Sequence, residues 1–115
     1  MRRGVVVLAA AADQARHSLL VPRTLESRGA LHGYGLCAQI RSVSEDTVQV
    51  EEGSLYPALH RMEQDGWISA QWEVTAKGRN AKKYSITALG RKQLEDERET
   101  WARLTRGVTC VLRYS

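Results

Sequence analysis

The apolar positions of this chain change period several times along its length, and each change marks an element. Residues 9–20 suit a helix of Ala and Leu with scattered polar side chains. Pro22 is expected to end it, because the residue before a proline avoids the α region. A second short segment, residues 23–28, stops at Gly29. From 31 to 43, Leu36, Ile40 and Val43 recur at steps of four and three, the spacing that lines one face of a helix. The flexible run His32-Gly33-Tyr34-Gly35 introduces it. After the polar link 44–52, Gly53-Ser54 opens a better specified helix. Ser54 is a good N-cap there, Pro57 falls in the first turn where its missing N–H costs little, and Gly66 supplies the stop. Leu55, Leu59 and Met62 occupy one side of that helix, leaving Tyr56, His60, Arg61 and Gln64 for another.

The period then drops to two. Ile68, Ala70, Trp72 and Val74 alternate with Ser69, Gln71, Glu73 and Thr75, which predicts a half-buried strand. Beyond residues 76–81 the alternation resumes with Tyr84 and Ile86 as its apolar side, so the pair reads as a β-hairpin with a basic tip. A last helix runs from Thr87 to near Arg113, roughly 39 Å at 1.5 Å per residue. Along it Leu94, Trp101 and Val108 lie seven apart, with Leu104 and Val111 seven apart and three on. That is a coiled-coil-like seam, broken by Glu97. A helix that outruns its domain wants a partner, most simply its own copy in a second subunit.

The fold class is therefore mainly α with a small β-hairpin (α+β), a winged helix-turn-helix followed by a long C-terminal dimerisation helix. Three parts are expected: an atypical N-terminal segment at 1–22, the winged helix-turn-helix at 23–86, and the dimerisation helix at 87–115. With 115 residues there is room for one small core.

Charge adds a direction. Seventeen Lys+Arg against thirteen Asp+Glu give a net +4, and the distribution is uneven. Between Val74 and Leu94 stand Lys77, Arg79, Lys82, Lys83, Arg91 and Lys92 with no acid, before Glu95, Asp96, Glu97 and Glu99 follow. A helix can enter the major groove of DNA, and a hairpin tipped with Lys and Arg can lie along phosphates or reach the adjacent minor groove. Catalysis finds no support: Gly33-Tyr34-Gly35 lacks a third glycine and a preceding strand, HExxH is absent, and no nucleophile–base set can be placed in one cleft. No cofactor or metal is expected. Cys37 and Cys110 lack metal-ligand spacing and are too few for a disulfide framework, so a reducing compartment is the plain reading. No stretch reaches the ~18 apolar residues of a membrane span. Arg2 and Arg3 followed by residues 4–12 imitate a secretory signal, but the remainder of the chain argues for the cytoplasm.

Residues 31–111 also resemble the PadR family of bacterial transcriptional regulators. The resemblance rests on Leu31-His32-Gly33-Tyr34-Gly35, on Glu52-Gly53-Ser54-Leu55-Tyr56-Pro57-Ala58-Leu59 running to Met62 and Asp65-Gly66-Trp67-Ile68, and on Lys83-Tyr84 and Thr87-Ala88-Leu89-Gly90-Arg91. It implies that residues 54–65 form the recognition helix, with Ser54, Tyr56, His60 and Arg61 facing DNA, and that the hairpin is a wing placing Lys77, Arg79, Lys82 and Lys83 near the sugar-phosphate backbone. It further implies a homodimer through the terminal helix, where Leu94, Trp101, Leu104 and Val108 form the dimer or effector surface. Some members bind aromatic or hydrophobic effectors there, and most act as repressors. The expected function is thus a ligand-responsive repressor binding a pseudo-palindromic double-stranded operator; the alternative is a winged-helix module that binds a partner protein. The resemblance is weakest at the front, where Pro22 interrupts the helix expected before His32. Residues 1–22 read either as a divergent first helix or as the product of a misread frame.

Overall fold

In the computed structural model the described residues are 10–45, 48 and 50–114. They form α1 (Ala10–Arg28), β1 (Leu31–His32), α2 (Gly33–Val43), α3 (Glu52–Gln64), β2 (Ile68–Val74), β3 (Asn80–Ile86) and α4 (Ala88–Arg113). The signal-like residues 2–9 lie outside the described ones.

The core is built where the helical and strand periods converge. Val21 and Leu25 of α1, Leu36 and Ile40 of α2, Leu55, Leu59 and Met62 of α3, Ile68 of β2 and Tyr84 of β3 are all buried in one cluster. The strands form an antiparallel sheet in the order β1-β3-β2, with Ala70 and Leu31 both opposite Tyr84. This is a winged helix-turn-helix: α2 and α3 form the helix-turn-helix, and β2 with β3 form the wing.

Four local expectations are corrected. Pro22 does not end the first helix; α1 runs through it to Arg28, so the boundary expected after residue 22 falls inside a helix. An internal proline costs about 3 kcal/mol, but Val21, Pro22 and Leu25 are all fully buried here. Each such apolar side chain contributes about 1.5–3 kcal/mol, so packing outweighs the missing N–H. Leu31-His32 is not part of the second helix either. It is an edge strand on β3, and Gly33-Tyr34-Gly35 form the first turn of α2. Ser54 is not the N-cap of α3, since Glu51 holds that place and Ser54 is the third helical residue. Pro57 consequently sits in the second turn of α3. Finally, the hairpin tip is shorter than expected, because Asn80 and Ala81 already pair with Val74 and Glu73.

The long helix has the predicted start. Thr87 caps it, its Oγ1 accepting from the Gly90 N–H at 3.0 Å. The same hydroxyl reaches the Gly66 and Trp67 carbonyls at 2.6 and 3.0 Å, and the Thr87 N–H donates to the Trp67 carbonyl at 3.1 Å. Helix α4 packs on α1, with Leu94 fully buried, while nearly every side chain from residue 102 onward is exposed.

Candidate nucleic-acid interface

Helix α3 owes its orientation to one apolar flank. Leu55, Ala58, Leu59 and Met62 are buried, and Gly66, at φ +79° in the left-handed region, turns the chain out of the helix towards β2. At roughly 100° per residue, His60 is central on the opposite, exposed face. The remaining expected contacts split to its two sides: Ser54 with Arg61, and Tyr56 on the edge nearer the sheet. His60 is exposed and Arg61 half-buried, and neither has an ion pair among the described residues. The Ser54 hydroxyl turns back, donating to the Glu51 carbonyl at 3.2 Å.

Tyr56 has a second occupation. A Cβ at Gly33 would lie 2.7–2.9 Å from its ring and hydroxyl, so Gly33 is the surface on which this ring rests. The ring remains 44% exposed, and burial, followed by the nearby Glu52 carboxylate, pushes its phenol pKa up. It can face a ligand and brace α2 at once.

The wing's basic residues separate into two kinds. At the tip, Thr75–Arg79 close a turn in which the Thr75 N–H donates to the Arg79 carbonyl and the Gly78 N–H to the Thr75 carbonyl, both at 2.8 Å. Gly78 is left-handed, at φ +79°. Lys77 and Arg79 stand exposed there with no acid within ion-pair distance among the described residues. Lys82 and Lys83 are different. The Lys82 ammonium donates to Glu63 Oε1 of α3 at 3.2 Å. Lys83 lies 4.0 Å from Glu73, whose other neighbour is His32 Nε2 at 2.8 Å, in an orientation unsuited to a hydrogen bond. His32 in turn stacks on Tyr34 with ring centroids 5.4 Å apart.

Sequence reading missed the acids. Glu51 and Glu52 are exposed at the start of α3, where they favour the helix dipole but deny that terminus to a phosphate. Glu63 and Glu73 were equally invisible as lysine partners. The signal existed only in the fold, since Glu63 and Lys82 are 19 residues apart.

On α4 the four expected seam residues do not share one environment. Leu94 is buried inside the chain and Trp101 is half-buried, whereas Leu104 and Val108 are 53% and 47% exposed. With Arg103, Gly107, Val111 and Leu112 these last two line a shallow hollow of about 570 Å³. Both cysteines are free; burial pushes the Cys37 thiol pKa up.

A helix-turn-helix flanked by a basic-tipped wing and followed by a long helix defines a class of transcriptional regulator. The comparisons agree. The chain matches the transcriptional regulator PadR-like family over residues 23–96, and it belongs to that family. It is 35% identical over 78 residues to the transcriptional regulator Rv3488 of Mycobacterium tuberculosis, covering 68% of this chain and 69% of that protein. It is 30% identical over 71 residues, 62% of this chain and 65% of the other, to an uncharacterized protein of Lysinibacillus sphaericus, so the matches span about two thirds of these relatives. Among solved structures, a Clostridium thermocellum transcriptional regulator superposes with a TM-score of 0.77 at 23% identity, covering 94% of this chain and 100% of that one. No helix among the described residues is long and apolar enough to cross a membrane.

Proposed function

We propose that the chain is a cytoplasmic, homodimeric repressor that reads a pseudo-palindromic operator and releases it on binding a planar hydrophobic effector. DNA binding by the family supports the first step, and one observation carries it to particular residues. Lys77 and Arg79 are exposed cations with no acid in ion-pair distance among the described residues, on a wing that the Lys82–Glu63 pair ties to α3, the helix that carries exposed His60 and half-buried Arg61. In this reading α3 enters the major groove, Ser54, Tyr56, His60 and Arg61 meet base edges or the adjoining backbone, and Lys77 and Arg79 hold phosphates. Lys83, spending much of its charge on Glu73, contributes less. The dimer forms through Leu104 and Val108, and the two Trp101 rings at its upper end are the surface for a flat effector, because aromatic pairs add about 0.5–1.5 kcal/mol beyond area burial.

The test is the salt dependence of DNA binding. In a Lys77→Ala/Arg79→Ala variant the slope of log affinity against log salt should fall by about two units, at roughly 0.9 per phosphate, equally on all sequences. An unchanged slope removes the tip from the interface. Arg61→Ala should behave otherwise. On an operator recovered by selecting bound genomic fragments, it should lose about 1–3 kcal/mol of discrimination against random duplex. Equal losses on both DNAs would move Arg61 to the backbone. Failure of the unaltered protein to bind any duplex would leave a protein-interaction module.

A further inference from the structure

The wing carries an apolar surface that the described chain leaves uncovered. Trp72 and Val74 are 67% and 68% exposed, although they continue the alternation that begins at buried Ile68. The hairpin register sets Trp72 opposite Lys82 and Val74 opposite Asn80. Lys82 fixes the indole: its ammonium lies 5.5 Å from the ring centroid and 3.2 Å from Glu63 Oε1. Ring, cation and carboxylate come from β2, β3 and α3, so the contact links the ring to both the wing and the recognition helix.

We propose that Trp72 is a duplex-contacting residue, an apolar anchor that packs on sugars and base edges beside the groove entered by α3, with Lys82 and Glu63 as its positioning residues. The inference rests on the DNA-binding reading above. Charge selects the occupant, because Lys77 and Arg79 have no ion-pair partner among the described residues at the tip of the same hairpin and no acid occurs from Val74 to Leu94. The acid of β2, Glu73, alternates to the other face, where it lies beside His32 and Lys83. A protein partner seated on Trp72 would have to strip water from both free cations, whereas a phosphate backbone neutralises them. Apolar side chains at groove edges and aromatic rings against nucleotides are established modes of contact. The indole suits a partly wet site, since it buries a large ring and keeps one N–H donor outside.

The experiment uses the full chain and mixed-sequence duplex DNA. Trp72→Ala should weaken binding roughly ten-fold, by the energy of one aromatic contact, without changing the salt slope. Trp72→Phe should recover most of the loss. Lys82→Met should weaken binding less, again at constant slope because Glu63 already matches its charge, and Lys82→Arg should restore it. With Trp67 and Trp101 both replaced by Phe, Trp72 fluorescence should become resistant to acrylamide quenching when DNA is added. Thermal melting of each variant checks that the fold is kept. Should the unaltered protein bind DNA while Trp72 stays fully quenchable and Trp72→Ala binds normally, the anchor is refuted and the DNA reading stands. A salt slope lowered by about one unit in Lys82→Met would make Lys82 a phosphate contact and overturn the positioning role. If the unaltered protein binds no duplex, both fall.

Discussion

Gly90→Ala is expected to destabilise the chain by about 3 kcal/mol or more, because the new methyl has nowhere to go. A Cβ at this position would overlap the Trp67 carbonyl and come within 3.0 Å of the Ile86 side chain. The obstacle is backbone, so no rotamer change relieves it. That carbonyl is also the acceptor for the Thr87 N–H and lies within reach of the Thr87 hydroxyl. Pushing α4 away therefore also breaks the hydrogen bonds that tie Thr87 to that carbonyl, worth about 1 kcal/mol more. For a domain near this size, each kcal/mol lowers the melting temperature by roughly 4–8 °C, so a loss beyond 12 °C should appear in a simple thermal scan. A shift under about 4 °C would mean that α4 can tilt off Trp67 freely, and the close approach would lose its explanatory value.

Replacing Leu104 and Val108 together by Asp is expected to turn the proposed dimer into monomers while leaving the fold intact. Both side chains are half exposed in the single chain and line the same hollow with Gly107, Val111 and Leu112. Covering an exposed Leu or Val fully gains about 1.5–3 kcal/mol, and twofold symmetry counts each contact twice. Four carboxylates in that seam should raise the dissociation constant at least ~1,000-fold, equivalent to about 4 kcal/mol. Sedimentation equilibrium reads the mass and a thermal scan the stability, and operator affinity should collapse with the dimer. Leu94→Asp provides the contrast. Leu94 is fully buried within the chain, so that change should unfold the protein outright. A double Asp variant that remains dimeric would place the interface on another face.

What sequence could and could not reveal divides along the range of the interactions involved. The periods of Leu55, Leu59 and Met62 and of Ile68 and Ala70 are local properties, and the helices and strands they imply are present. The start of the last helix at Thr87 and the Gly66 stop were equally local. Pro22 shows the opposite case, because a local rule for ending helices met a buried environment that no neighbouring residue announces. Leu31-His32 became a strand only because β3 offers an edge at Tyr84 and Lys83. Alternation at Trp72 and Val74 correctly gave a strand but wrongly implied burial, since the outer half of the wing extends past the core. Among the expected DNA contacts, residue type identified the cations, whereas their availability depended on Glu63 and Glu73, which only the folded chain brings near.

The joint between β3 and α4 has a mechanical consequence. Thr87 alone separates them, and its hydroxyl and N–H are tied to the Gly66–Trp67 backbone. No slack segment is available to absorb a rotation, so α4 and the wing behave as two arms of one lever. Seven strand residues give the wing an arm of roughly 23 Å, and a tilt of only about 5° in α4 would swing the tip by roughly 2 Å. Hydrogen bonds tolerate only about half an ångström of spread in length. If α4 pairs with a second copy as proposed, small adjustments there would be felt at Lys77 and Arg79 as the difference between reaching a phosphate and missing it.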